Sequence, residues 1–120
     1  MVWYKKTKID GKDVLFVVSD AALDLFDNPF QELMDDYTRL QAPDLWLVKL
    51  KEPMPIDDVL QYYLNGVDED YEGDYYTIVR IDDYTYVIAG ESVMIPDDKI
   101  ADEKYYHSDF SVDELVKEVS

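Results

Sequence analysis

The order of apolar and polar positions predicts a chain that mixes strands and helices. Val2 to Ile9 and Lys12 to Val18 each read as a strand, with Asp10-Gly11 between them. Asp-Gly suits the two positive-φ positions of a type I′ turn, so the segment predicts a two-residue hairpin. That loop length sets Ile9 opposite Lys12 and Lys8 opposite Asp13, the second a cross-strand ion pair worth a fraction of a kcal/mol.

Asp20, after Ser19, offers a side-chain acceptor at a helix start. Leu23, Phe26, Phe30, Leu33, Tyr37 and Leu40 then recur at alternating steps of three and four, one apolar stripe on a 3.6-residue helix. Pro29 lies inside that run. It predicts two short helices or one kinked helix, with Pro29 at the first position of the second segment. The opposite face carries Asp20, Asp24, Asp27, Glu32, Asp35 and Asp36 against Arg39, and Pro43 closes the segment.

Leu45 to Leu50 is apolar enough to be a central strand. Pro53 and Pro55 mark a loop, and Ile56, Val59, Leu60, Tyr63 and Leu64 a short helix stopped by Asn65-Gly66. Tyr75 to Ile81 and Tyr84 to Ala89 predict a second hairpin across Asp82-Asp83. Val93-Met94-Ile95 suggests a short edge piece, and residues 97–110 read as mostly irregular. Ser111 to Glu114 forms a capping box, with Phe110 and Leu115 as its hydrophobic staple, for a helix over Val112 to Val119. The sum is one α+β domain over residues 1–120, a mainly antiparallel sheet of about five strands with three or four helices packed on it.

Charge changes the picture more than length does. The 120 residues carry a net charge of −17, yet 48% are apolar, so the chain can bury a core and is no acidic tail. With no cysteine there is no disulfide and no thiolate chemistry, which fits a reducing cytoplasm. No apolar run approaches the ~20 residues that span a bilayer. Met1-Val2-Trp3-Tyr4-Lys5-Lys6 alternates, unlike the apolar stretch of a signal peptide. Direct binding to a nucleic-acid backbone or an anionic membrane is disfavoured by like charge. Lys5, Lys6, Lys8 and Lys12 fall in the first twelve residues; from Asp13 onward 7 basic residues face 27 acidic ones.

The densest cluster is Asp68-Glu69-Asp70-Tyr71-Glu72-Gly73-Asp74, followed by Tyr75-Tyr76. Asp82-Asp83, Asp97-Asp98 and Asp102-Glu103 continue the pattern among eleven tyrosines. Tyrosine offers a large contact area with a hydroxyl for a partner, which enriches it at interfaces. One reading is a solvated acidic surface. A sharper one is mimicry of a nucleic-acid backbone, because carboxylates on helices or alternate strand positions repeat at ~5–7 Å. Two ridges are expected: Asp20, Asp24, Asp27, Asp35 and Asp36 on helices, and Asp68 to Asp74 with Asp82 and Asp83. Their expected partner is a basic protein of the nucleic-acid-binding enzyme class, with Tyr71, Tyr75 and Tyr76 packing where a base or sugar would.

In size, acidity and tyrosine content the chain resembles, as a class, small phage-encoded inhibitors of host defence such as anti-CRISPR and anti-restriction proteins, and glycosylase inhibitors. Immunity proteins that neutralise nuclease toxins share those features. The resemblance implies inhibition of an enzyme with a basic cleft; no motif carries a contact residue over. An immunity-type or regulatory protein that binds a basic partner outside its substrate groove is the alternative.

Asp68, Asp70, Glu72 and Gly73 also match positions 1, 3, 5 and 6 of an EF-hand loop. Position 12 is Val79, which has no carboxylate, so at most a weak calcium loop is expected, and no cofactor. Catalysis is not expected either. His107 is the one histidine, His107-Ser108-Asp109 are mere sequence neighbours, and Gly11, Gly66, Gly73 and Gly90 read as turn residues, not a phosphate loop.

Overall fold

The computed structural model describes residues 2–24, 28–38, 44–71, 75–107 and 110–120, the side chain of Asp36 excepted. Strands β1 (Val2–Ile9) and β2 (Lys12–Ser19) form the first hairpin, with Ile9 opposite Lys12 and Lys8 opposite Asp13. Asp10 and Gly11 hold φ of 52° and 80°, the pair of positive values a type I′ turn requires. Lys8 Nζ lies 3.5 Å from Asp13 Oδ1.

The helical stripe divides at Pro29 into α1 (Asp20–Leu23) and α2 (Pro29–Asp36). Pro29 sits at the start of α2, where its missing donor costs nothing. Asn28 caps α2 by accepting from the Gln31 amide at 3.2 Å. For α1 the cap is Ser19 and not Asp20: Ser19 Oγ accepts the Ala22 amide at 3.0 Å. The reason is position, since Asp20 already has helical geometry and its carboxylate turns outward to Trp3.

Strand β3 (Leu45–Leu50) leads to helix α3 (Ile56–Gly66), then β4 (Tyr75–Asp82) and β5 (Thr85–Ala89). A 3-10 turn over Asp97–Lys99 precedes β6 (Ile100–Tyr106), and α4 (Val112–Val119) closes the chain. Ser111 Oγ caps α4 through the Glu114 amide at 3.1 Å, and Phe110 packs on the cluster that holds Leu115.

Four further details depart from expectation. Gly66 remains inside α3, where a Cβ would come within 2.8 Å of Met94 Sδ, so it serves close packing and not a turn. A register slip between Arg80 and Asp82 sets Asp82 opposite Thr85, moving the hairpin connection to Asp83-Tyr84. Val93 to Ile95 is not a strand; it lies over the core with Ile95 buried. Residues 100–106, expected to be irregular, form a sixth strand. Both faces of β6 are mostly wet, so it lacks the period-2 pattern that marks a half-buried strand.

The six strands run β1-β2-β4-β5-β3-β6, every neighbouring pair antiparallel. Side-chain alternation sends Leu15, Val17, Ile78, Ile88 and Val48 to one face, under α3. Val14, Phe16, Val18, Val79 and Val87 go to the other, under α1, α2 and α4. A sheet covered on both faces explains why Val14 to Val18 is an unbroken apolar run.

Tyrosine contributes to both layers. Burial raises the pKa of the Tyr37, Tyr63 and Tyr86 hydroxyls, that of Tyr37 to about 12. Tyr86 donates to the Met54 carbonyl at 2.6 Å. An acid whose folded pKa is raised keeps its proton after the unfolded chain has lost its own, near 10 for tyrosine. Stability therefore holds below pH 10 and falls as pH rises from about 10 to about 12, at up to about 1.4 kcal/mol per unit for each such group. Phenolate absorbance should show Tyr37, Tyr63 and Tyr86 ionising only as the fold is lost; ionisation of these three near pH 10 with the fold intact would refute this.

Candidate functional site

The pairings Val2–Ser19, Val18–Tyr75, Thr77–Ala89, Leu45–Ala89 and Leu45–Tyr106 bring one set of strand ends together. Asp20 and Asp24 follow β2 there, Asp68 to Tyr71 precede β4, Glu91 follows β5, and Asp44 precedes β3. Adjacent strands lie ~4.8 Å apart, so Asp20 to Asp44 covers three strand steps, roughly 14 Å. This end of the sheet is a rim of carboxylates from four separate segments.

Aromatic donors orient three of them. Trp3 Nε1 donates to Asp20 Oδ1 at 3.0 Å, and the Tyr71 hydroxyl to Glu91 Oε1 at 2.6 Å. The Tyr105 hydroxyl donates to Asp44 Oδ1, and that bond raises the Tyr105 pKa. Tyr105 is in turn fixed by Trp46, ring centroids 4.6 Å apart, and its oxygen lies 3.0 Å from His107 Nδ1. Trp46 Nε1 donates to the Gly90 carbonyl at 3.0 Å, while the Gly90 amide donates to the Asp44 carbonyl at 3.1 Å. Trp3, Tyr71, Tyr75 and Tyr105 all remain substantially exposed.

The Asp68–Tyr71 segment is tied to the β2–α1 junction. The Ala21 amide donates to the Glu69 carbonyl at 3.0 Å, and Ser19 Oγ donates to the Tyr71 carbonyl at 2.8 Å. Ser19 is fully buried and also caps α1. Ser19→Ala should therefore cost about 2 kcal/mol, a lost cap plus a lost buried hydrogen bond. Amide hydrogen exchange should rise at Ala22 and through residues 68–71; unchanged protection there would show that Ser19 does not hold the segment.

The expected site residues do not all meet. Asp82 and Asp83 lie at the far end of β4, seven residues from Tyr75, about 23 Å away on an extended strand. They do not join Asp68, Glu69 and Asp70 in one ridge. There Arg80 Nη2 pairs with Asp83 at 3.1 Å, and Asp82 Oδ1 accepts the Tyr84 amide at 2.8 Å. The helical ridge divides as well. Asp24 stands at the rim, whereas Asp35, bonded by Gln31 at 3.0 Å, lies near the end of α2 that meets α4. Tyr76 is a core residue, 1% exposed and edge-on to Tyr63, so it has no surface to offer. Asp27, Glu72, Asp74 and the Asp36 side chain lie outside the described residues.

Asp44, Glu91, Trp3 and Tyr105 were absent from the expected site. Their only sequence signal is that each acid borders a strand end, and nothing linear links Trp3 to Asp20. For calcium, Asp68 Oδ1 accepts the Asp70 amide at 3.0 Å, and Glu72 is outside the described residues. Among the described residues no group of three or more His, Asp or Glu is arranged to hold a metal, and no helix is long and apolar enough to cross a membrane. A cleft of about 380 Å³ between β1 and the start of α3 is charge-balanced, crossed by Lys6–Asp57 at 2.8 Å and Lys8–Asp13. Comparison with protein-family models, curated proteins and solved structures finds no match, so the rim is read from its own chemistry.

Proposed function

We propose that this domain is an acidic inhibitor that presents its carboxylate rim to the basic nucleic-acid groove of a nuclease or defence effector, as a stand-in for the phosphate backbone. The observation that carries the reading is the set of three pairs, Trp3–Asp20, Tyr71–Glu91 and Tyr105–Asp44, on the ends of one sheet. Carboxylates held by ring donors lose little further freedom on binding, so more of the electrostatic attraction appears as affinity. Exposed tyrosine and tryptophan rings beside them supply contact area where bases and sugars would pack. A basic groove gains affinity by releasing counterions and is reached quickly through steering.

The test is capture of partners on the immobilised domain, followed by displacement. Binding should weaken steeply with added salt, and DNA or RNA should elute the partner. A partner that holds nucleic acid and this domain together, each at unchanged affinity, would refute mimicry and place the contact outside the substrate groove.

A further inference from the structure

The two open edges of the sheet differ in charge. Among the described residues β1 has β2 on one side and no strand on the other, and β6 likewise has only β3. β1 presents Lys5, Lys6 and Lys8, while β6 presents Asp102 and Glu103 with a single lysine, Lys104. Both edges also carry exposed rings, Trp3 and Tyr4 at 40% and 48% on β1, Tyr105 at 45% on β6. Five antiparallel pairings separate the edges, so β1 and β6 run in opposite directions. A second copy set beside the first in the same orientation lays its β1 antiparallel to β6.

We infer that β1 of one copy pairs with β6 of another, extending the sheet from molecule to molecule. Directly opposed residues share a face. Tyr4 and Lys6 stand opposite Val17 and Leu15, and Tyr105 and Glu103 opposite Trp46 and Val48, all on the α3 face. The register that overlaps the strands most fully then sets Tyr4 against Tyr105 and Lys6 against Glu103. On the other face it sets Trp3 against Tyr106 and Thr7 against Asp102. Lys5 meets Lys104, with Asp102 diagonal to it. Lysine on an edge strand ordinarily discourages pairing. Here it selects: β1 carries three lysines and no carboxylate, so β1 against β1 repels, whereas β1 against β6 gives Lys6 a carboxylate directly opposite and Lys5 one on the diagonal. The contact is heterologous and does not close on itself at two copies. Six strands at roughly 20–25° a step rotate each copy by over about 100°, which makes the assembly helical.

Sedimentation velocity of the full chain tests this. The sedimentation coefficient should climb continuously from micromolar to millimolar protein, and more so as salt rises to about 0.15 M, where repulsion between the acidic bodies is screened beyond ~8 Å. That salt response is opposite to the one expected for a basic partner. Lys6→Glu and Glu103→Lys should each sediment as monomers, and their equimolar mixture should regain the wild-type behaviour, since each new charge then meets its opposite. The Lys6–Asp57 pair is exposed, so Lys6→Glu should stay folded by circular dichroism. A wild type that remains monomeric throughout, one that stops at dimers, or two folded variants whose mixture fails to associate would overturn the inference.

Discussion

Replacing Gly90 with alanine should lower the stability of the domain by about 3–5 kcal/mol, a large share of the roughly 5–15 kcal/mol typical of a domain. A Cβ at this position would lie 2.1 Å from Cδ1 and 2.5 Å from Cε1 of Tyr76. The Tyr76 ring has little room to retreat, being buried and packed against Tyr63 at a centroid distance of 4.9 Å. The backbone adds strain of its own, because φ at Gly90 is +153°. Gly11→Ala is the matched control: its φ is +80°, but nothing lies within 4 Å of the added methyl, so the loss should be near 1 kcal/mol. Urea midpoints compare the two, and equal losses would show that contact with Tyr76 is not what demands glycine. Gly90 also bonds Trp46 and Asp44, so a weakened rim should accompany the lost stability.

Neutralising the rim should separate binding from folding. The triple variant Asp20→Asn, Asp44→Asn, Glu91→Gln keeps an acceptor for Trp3, Tyr105 and Tyr71 while removing three negative charges. Affinity for the captured basic partner should fall ~100-fold or more, given ~1.5 kcal/mol or more for a close charge pair. Stability should hold or rise, since self-repulsion in a chain of net charge −17 decreases. The far-end variant Glu52→Gln, Asp97→Asn, Asp98→Asn removes the same charge and should change affinity by much less. Equal losses would mean that bulk charge, not the rim, recruits the partner.

Much of this arrangement could be read locally. The first hairpin follows from Asp10-Gly11 and its flanking residues, the break between α1 and α2 from Pro29, and α4 from Ser111. Each is decided within a few residues, by a turn geometry, a missing donor or a cap. The site was less legible, because charge density along a chain does not report proximity in space. Asp68 to Asp70 and Asp82–Asp83 look like neighbours in sequence, yet an extended β4 holds them at opposite ends of the sheet.

Local chemistry thus settled the identity of most elements and the acidity of the whole. Tertiary structure alone placed β3 between β5 and β6, built β6 from a stretch without periodicity, and gathered Asp20, Asp44 and Glu91 at one end. The physical reason is that ladder pairing and two-sided burial act between distant segments. Whether an aspartate finds a tryptophan or a tyrosine to hold it depends on which strand ends the sheet brings side by side.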